Sequence, residues 1–106
     1  MILNILLWNI RTFPKLTKLS HFKKFCEELE EMLKCEGNTK EYYEELADCY
    51  IVAYGMFRFD FRLALYLIKT CNFYNQSRKF TKQMIKEKMK INKQRTWGYS
   101  NGVYHH

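Results

Sequence analysis

Four carboxylates carry the most specific spacing in this chain. Glu28 and Glu31 stand three residues apart, and so do Glu45 and Asp48. Residues three apart occupy neighbouring turns on one side of a helix, so each pair points one way if its segment is helical. Between the pairs lies one short break, Glu36-Gly37-Asn38-Thr39-Lys40. Helices joined by so short a turn run antiparallel, as an αα-hairpin. Folding back near Asn38 sets Glu31 level with Glu45 and Glu28 level with Asp48, each pair equally far from the turn. Four like charges brought together push one another's pKa up. A hard divalent cation with a preference for oxygen ligands, such as Mg²⁺, reverses that penalty. The spacing therefore points to a metal site of Glu28, Glu31, Glu45 and Asp48. A solvated acidic face is the plainer alternative, and Glu27, Glu30, Glu36, Glu41 and Glu44 fit it. On the helical wheel Glu28 borders the apolar stripe, while Glu31 faces away from its centre. Asp48 argues for burial. It is followed by Cys49-Tyr50-Ile51-Val52-Ala53-Tyr54-Gly55-Met56-Phe57, apolar on every side of a helix, and a buried carboxylate needs a partner.

The elements that must position these acids are legible as periodicity. Phe22, Phe25, Cys26, Leu29, Met32 and Leu33 recur at three-and-four spacing, which predicts an amphipathic helix capped by Thr17 or Ser20 and running to about Lys34. Gly37 is its expected end. Asn38, with Glu41 three residues on, reads as the N-cap of a second helix from about Thr39 to Phe59. Gly55 within that helix marks a close approach of another element. Ahead of both, Ile2, Leu3, Ile5, Leu6, Leu7 and Ile10 suit a short packing helix or a subunit contact, and Pro14 bends the chain after it. Asp60 caps a third long helix through Ile68 to about Cys71, unless the second helix simply continues. Asn72 to Ser77 is a connection, and a last helix spans about Phe80 to Gln94.

A chain of 106 residues makes one domain, residues 1–106, near the size at which a partner subunit helps. Its formal charge is +7, from 18 basic and 11 acidic residues. Such a balance favours polyanions, whether nucleic acid, an acidic membrane surface or a phosphorylated small molecule. The acids cluster in residues 27–48, whereas residues 58–95 are almost all basic among their charges. One part suits cations and the other anions. Cys26, Cys35, Cys49 and Cys71 show no CxxC and no zinc spacing. Cys26 and Cys49 fall at apolar helix positions, as reduced core residues of a cytoplasmic protein would. No targeting segment, low-complexity run or repeat is visible, and the apolar start is too short and interrupted to cross a membrane.

Near the end, Lys88, Asn92 and Arg95 fall on one helical face. A point charge, an amide and a guanidinium in a row suit a triphosphate, and Trp97 could cover a base or close the core. There is no Gly-rich phosphate loop. The rival reading is a small basic helical protein that binds nucleic acid through residues 78–95 without catalysis; its signature is salt-sensitive binding indifferent to the acids.

Glu27-Glu28-x-x-Glu31, thirteen intervening residues, then Glu45-x-x-Asp48 resembles the signature of the all-α MazG-like nucleoside triphosphate pyrophosphohydrolases. Trp8, Thr12-Phe13-Pro14 and His21 resemble the entry of the branch that contains dATP/dGTP pyrophosphohydrolases. Its exit is matched by Lys88-x-x-x-Asn92-x-x-Arg95-x-Trp97-Gly98 with Gly102-Val103-x-His105. The resemblance implies a four-helix-bundle-like core completed by homo-oligomerisation as a dimer or tetramer. The implied reaction is Mg²⁺-dependent hydrolysis of a nucleoside triphosphate, in this branch a purine deoxynucleotide, to monophosphate and pyrophosphate. Mn²⁺ would be a substitute. By motif position Glu28, Glu31, Glu45 and Asp48 would hold the metal, and Glu27 would orient water or support its neighbour. Lys88, Asn92, Arg95 and Trp97 would meet the substrate. In one respect the chain departs: Arg58 to Lys88 is longer than in that branch by about a dozen residues.

Overall fold

Capping side chains divide the molecule into its elements. The computed structural model describes residues 1–106, as five helices, α1 Ile2–Thr12, α2 Lys18–Lys34, α3 Lys40–Gly55, α4 Phe61–Tyr74 and α5 Arg78–Gln94, with a 3₁₀ turn at Met56–Arg58. Thr17 and Ser20 cap α2 reciprocally, the Thr17 hydroxyl accepting from the Ser20 amide at 3.2 Å and the Ser20 hydroxyl from the Thr17 amide at 3.3 Å. Asp60 Oδ1 accepts from the Leu63 amide at 3.0 Å to open α4, and the Ser77 hydroxyl from the Phe80 amide at 3.3 Å to open α5. Each cap satisfies an amide that the helix itself leaves unpaired.

At the α2–α3 turn the expected cap moves by one residue. Thr39, not Asn38, caps α3, accepting from the Tyr42 amide at 3.3 Å. Asn38 has φ of 65°, the left-handed conformation, so it supplies the chain reversal and leaves the extended cap position to its neighbour. Its Oδ1 accepts from the Tyr43 hydroxyl at 3.1 Å. Gly37 does not adopt that conformation, and α2 ends at Cys35 instead. The second helix stops at Gly55, short of the expected Phe59, and α4 is a separate helix. The stretch from Arg58 to Lys88 holds α4, the Asn75–Ser77 link and the first part of α5.

All four other helices pack against α3, and eleven of its residues are buried, from Tyr42 to Gly55. This explains why its second half, from Cys49 on, is apolar all round. The core adds Ile5 from α1, Phe25 and Met32 from α2, Ala64, Leu67 and Cys71 from α4, and Met84, Ile85 and Met89 from α5. Cys49 is buried as expected, whereas Cys26 is exposed. It lies one residue beyond buried Phe25, which turns it about 100° away from the core-facing stripe. No helix is long and apolar enough to cross a membrane.

An unforeseen two-stranded hairpin follows α5, with β1 Gly98–Ser100 antiparallel to β2 Val103–His105 and Tyr99 opposite Tyr104. Its turn residues Asn101 and Gly102 have φ of 52° and 76°. Two positive values in a two-residue loop make the tight reversal that matches strand twist, and the Asn-Gly dipeptide is its sequence signal.

Candidate metal and phosphate site

Antiparallel packing of α2 on α3 brings three of the four motif acids together. Oxygens of Glu28, Glu45 and Asp48 lie within 4.8 Å of one another. Glu31 is not among them. Its side chain is 59% exposed and its carboxylate pairs with Lys34 at 3.7 Å, though the residue still lines the same cavity. The level-by-level pairing expected from the turn therefore holds for Glu28 with Asp48 and fails for Glu31. Glu28 lies closer to the α3-facing stripe of α2, and its side chain is only 14% exposed. Glu27 is exposed and does not line the cavity.

The charges of this cluster are held uneasily. Burial, then the adjoining Glu28 and Asp48 carboxylates, push Glu45 up from 4.5 to about 7. Burial also pushes Asp48 up, from 3.8 to about 6, against the pull of the Lys88 ammonium at 3.2 Å. Lys24 pairs with Glu28 at 3.0 Å. Although burial opposes its charge, the carboxylates of Glu28, Glu27 and Asp48 raise its pKa on balance. Two ammonium groups thus only partly neutralise three acids. An oxygen donor set that is crowded and retains protons near neutrality suits a hard divalent cation, which displaces those protons.

The acids occupy one end of a cavity of about 580 Å³, within the range of small-ligand sites. Lys88, Asn92, Arg95 and Trp97 all line it, so the expected phosphate face of α5 does meet the acid face of α2 and α3. Asn92 is nearly buried, and its Oδ1 accepts from Arg95 Nη1 at 3.4 Å. Its carbonyl accepts from Trp97 Nε1 at 3.2 Å, which fixes the indole at the end of α5.

Apart from Trp97, the other end is built by residues not singled out as site groups. Trp8, Phe13, Trp97 and Tyr104 stack edge to face, with Phe13 4.9 Å from both Trp97 and Tyr104. The hairpin is pinned there because the Tyr104 hydroxyl accepts from the Lys15 amide at 2.7 Å. Arg58 Nη1 donates to Asn9 Oδ1 and the Phe13 carbonyl, each at 2.9 Å, and so ties down the end of α1. Asn9 and His21 are buried at this end and line the cavity. The signal that could have found them is polarity: Asn9 interrupts the apolar face of α1, and His21 lies seven residues, about 10.5 Å, ahead of Glu28 along α2. No family model, curated protein or solved structure matches the chain.

Proposed function

We propose that the protein is a Mg²⁺-dependent pyrophosphohydrolase of nucleoside triphosphates, acting on purine deoxynucleotides and releasing monophosphate and pyrophosphate. The observation that carries this reading is one cavity with three crowded carboxylates facing Lys88 and Arg95, beside an aromatic end large enough for a base. The MazG-like motif supports it through the same residues. Glu28, Glu45 and Asp48 would hold the metal, with Glu31 the fourth ligand by motif at the cavity edge. Mg²⁺ when bound supplies Lewis-acid chemistry, polarising a phosphoryl oxygen and acidifying water. Lys88 and Arg95 take up the negative charge of the triphosphate, Arg95 with a planar fork suited to two phosphate oxygens. Asn92 orients that guanidinium. Water attacks the α-phosphorus, the α–β anhydride bond breaks, and pyrophosphate leaves with the bonding pair. The proton of the attacking water passes to a carboxylate oxygen of the cluster that is free of the cation.

Homo-oligomerisation belongs to the same proposal. Leu3, Leu7 and Ile10 on α1, and Phe61, Leu65, Tyr66 and Phe73 on α4, are large apolar side chains left exposed.

Pyrophosphate release from each canonical dNTP and NTP, with Mg²⁺ and with EDTA, tests the reading. Metal-dependent release from a purine dNTP is expected, falling at least about a hundredfold in folded Glu45→Gln and Asp48→Asn variants. The rival, a nucleic-acid-binding protein without catalysis, draws on Lys79, Lys82, Lys86, Lys90 and Lys93. These exposed lysines lie within about 80° of arc on the outer face of α5. It predicts no release, together with duplex binding that weakens steeply with salt.

A further inference from the structure

At Gly55 three helices come closer than side chains normally allow. A Cβ placed on this residue would lie 2.7 Å from Asn9 Nδ2 and 2.8 Å from His21 Nε2. The α3 backbone therefore serves as a floor on which one polar side chain from α1 and one from α2 rest. Their orientations follow from their partners. Arg58 can only donate, so the Asn9 atom that meets it at 2.9 Å is the oxygen, and the amide nitrogen is left over. The Val52 carbonyl can only accept, so His21 Nε2, 2.7 Å away, carries the hydrogen and Nδ1 is a bare acceptor. Burial keeps the ring neutral, lowering its pKa from 6.5 to about 4.

Asn9 and His21 are 3% and 4% exposed, yet no group of the chain accepts from Asn9 Nδ2 or donates to His21 Nδ1. Buried polar atoms are ordinarily paired, and leaving one open is costly. Both residues line the cavity, and no buried side-chain polar atom is sealed from solvent without a partner. Their open atoms therefore face the cavity end. His21 on α2 and Gly55 on α3 each lie seven residues from the acid cluster, at Glu28 and Asp48. That is about 10.5 Å along the helices, the reach of a nucleotide from its phosphates to its base.

We infer that Asn9 Nδ2 and His21 Nδ1 form a donor–acceptor pair that reads the Watson–Crick edge of a nucleobase seated against Trp8, Phe13 and Trp97. The inference rests on the nucleotide reading above and assigns its specificity to these two residues. Adenine presents the complement as N1 and the 6-amino group, and guanine as O6 and N1–H. A methyl group on N1 spoils either edge. Replacing Asn9 with Asp keeps the oxygen that Arg58 needs but turns the donor into a second acceptor. Two adjacent acceptors match the N1–H and 2-amino donors of guanine and repel N1 of adenine.

Calorimetric titration of deoxynucleoside monophosphates without metal tests this apart from hydrolysis. In the wild type, N1-methylated dAMP and dGMP are expected to bind at least about tenfold more weakly than the parent nucleotides. Asn9→Asp is expected to raise the dGMP-to-dAMP affinity ratio by at least about tenfold. Equal binding of methylated and parent nucleotides by the wild type overturns the inference whether or not the variant folds. So does an unchanged ratio in a folded variant. If the ratio responds while no triphosphate is hydrolysed, the base reader stands and the hydrolase reading fails. If triphosphates are hydrolysed and the ratio does not respond, the reverse holds.

Discussion

Half-buried acids at one end of the cavity and a buried histidine at the other couple stability to pH with opposite signs. Glu45 and Asp48 are raised to about 7 and about 6, from 4.5 and 3.8. They bind protons more tightly folded than unfolded, so their contribution is complete at low pH and is lost between about 4 and 7 as pH rises. His21 is lowered from 6.5 to about 4. Its contribution is present above 6.5 and is lost as pH falls through that window. Without metal the two effects offset each other. Asp48→Asn removes part of the first and keeps the second. Its urea midpoint in EDTA is expected to drop further than that of the wild type on acidification from about pH 7 to pH 5. Equal slopes would mean that the Asp48 carboxyl is not raised. On the proposed reading Mg²⁺ displaces the protons of these acids, so it is expected to raise the melting temperature more at pH 8 than at pH 5.5. Asp48 was the most legible of these groups, because an acid leading an apolar run demands a partner, and Lys88 is that partner. The turn of Glu31 toward Lys34 was not legible, since equal distance from a turn fixes height along a helix but not azimuth.

The helices themselves were largely readable. Thr17 and Asp60 cap the elements that their positions suggested, and an apolar α3 became the central helix. Asn38 and Thr39 exchanged roles because both are good caps, and only the tertiary reversal decides which one enters the left-handed region. The C-terminal hairpin went unseen although Asn101-Gly102 announces it, because three-residue strands carry almost no alternation. Gly55 was readable as a close approach but not as the meeting point of α1 and α2. A methyl group there gains about 1 kcal/mol of helix propensity but must displace Asn9 and His21, which sit under 3 Å away. Gly55→Ala is therefore expected to lose on the order of 1–2 kcal/mol in urea denaturation. A stabilised variant would show that those side chains yield freely.

Across the whole molecule, charge and apolar surface are sorted by region. Residues 1–48 hold nine of the eleven acids, and residues 49–106 eleven of the eighteen bases. Folding brings a few of each, Glu28, Glu31, Glu45 and Asp48 with Lys88 and Arg95, to the walls of one cavity. The apolar faces of α1 and α4 point elsewhere, and sedimentation is expected to give a mass at least twice the 13.0 kDa of the chain. Phe61→Ser with Leu65→Ser is expected to shift that mass downward if α4 forms the contact. A wild-type monomer at tens of micromolar would remove oligomerisation from the reading. The bond from the Lys15 amide to the Tyr104 hydroxyl spans 89 positions and joins the early part of the chain to its last strand. A three-residue terminal strand with no buried residue opens locally at low cost, whereas α2 and α3 are packed into the core. In amide exchange this seam would open while the acid-bearing helices stay protected. For the proposed nucleotide, entry and escape would then be timed by the fraying of a short terminal strand, at little cost to the folded core.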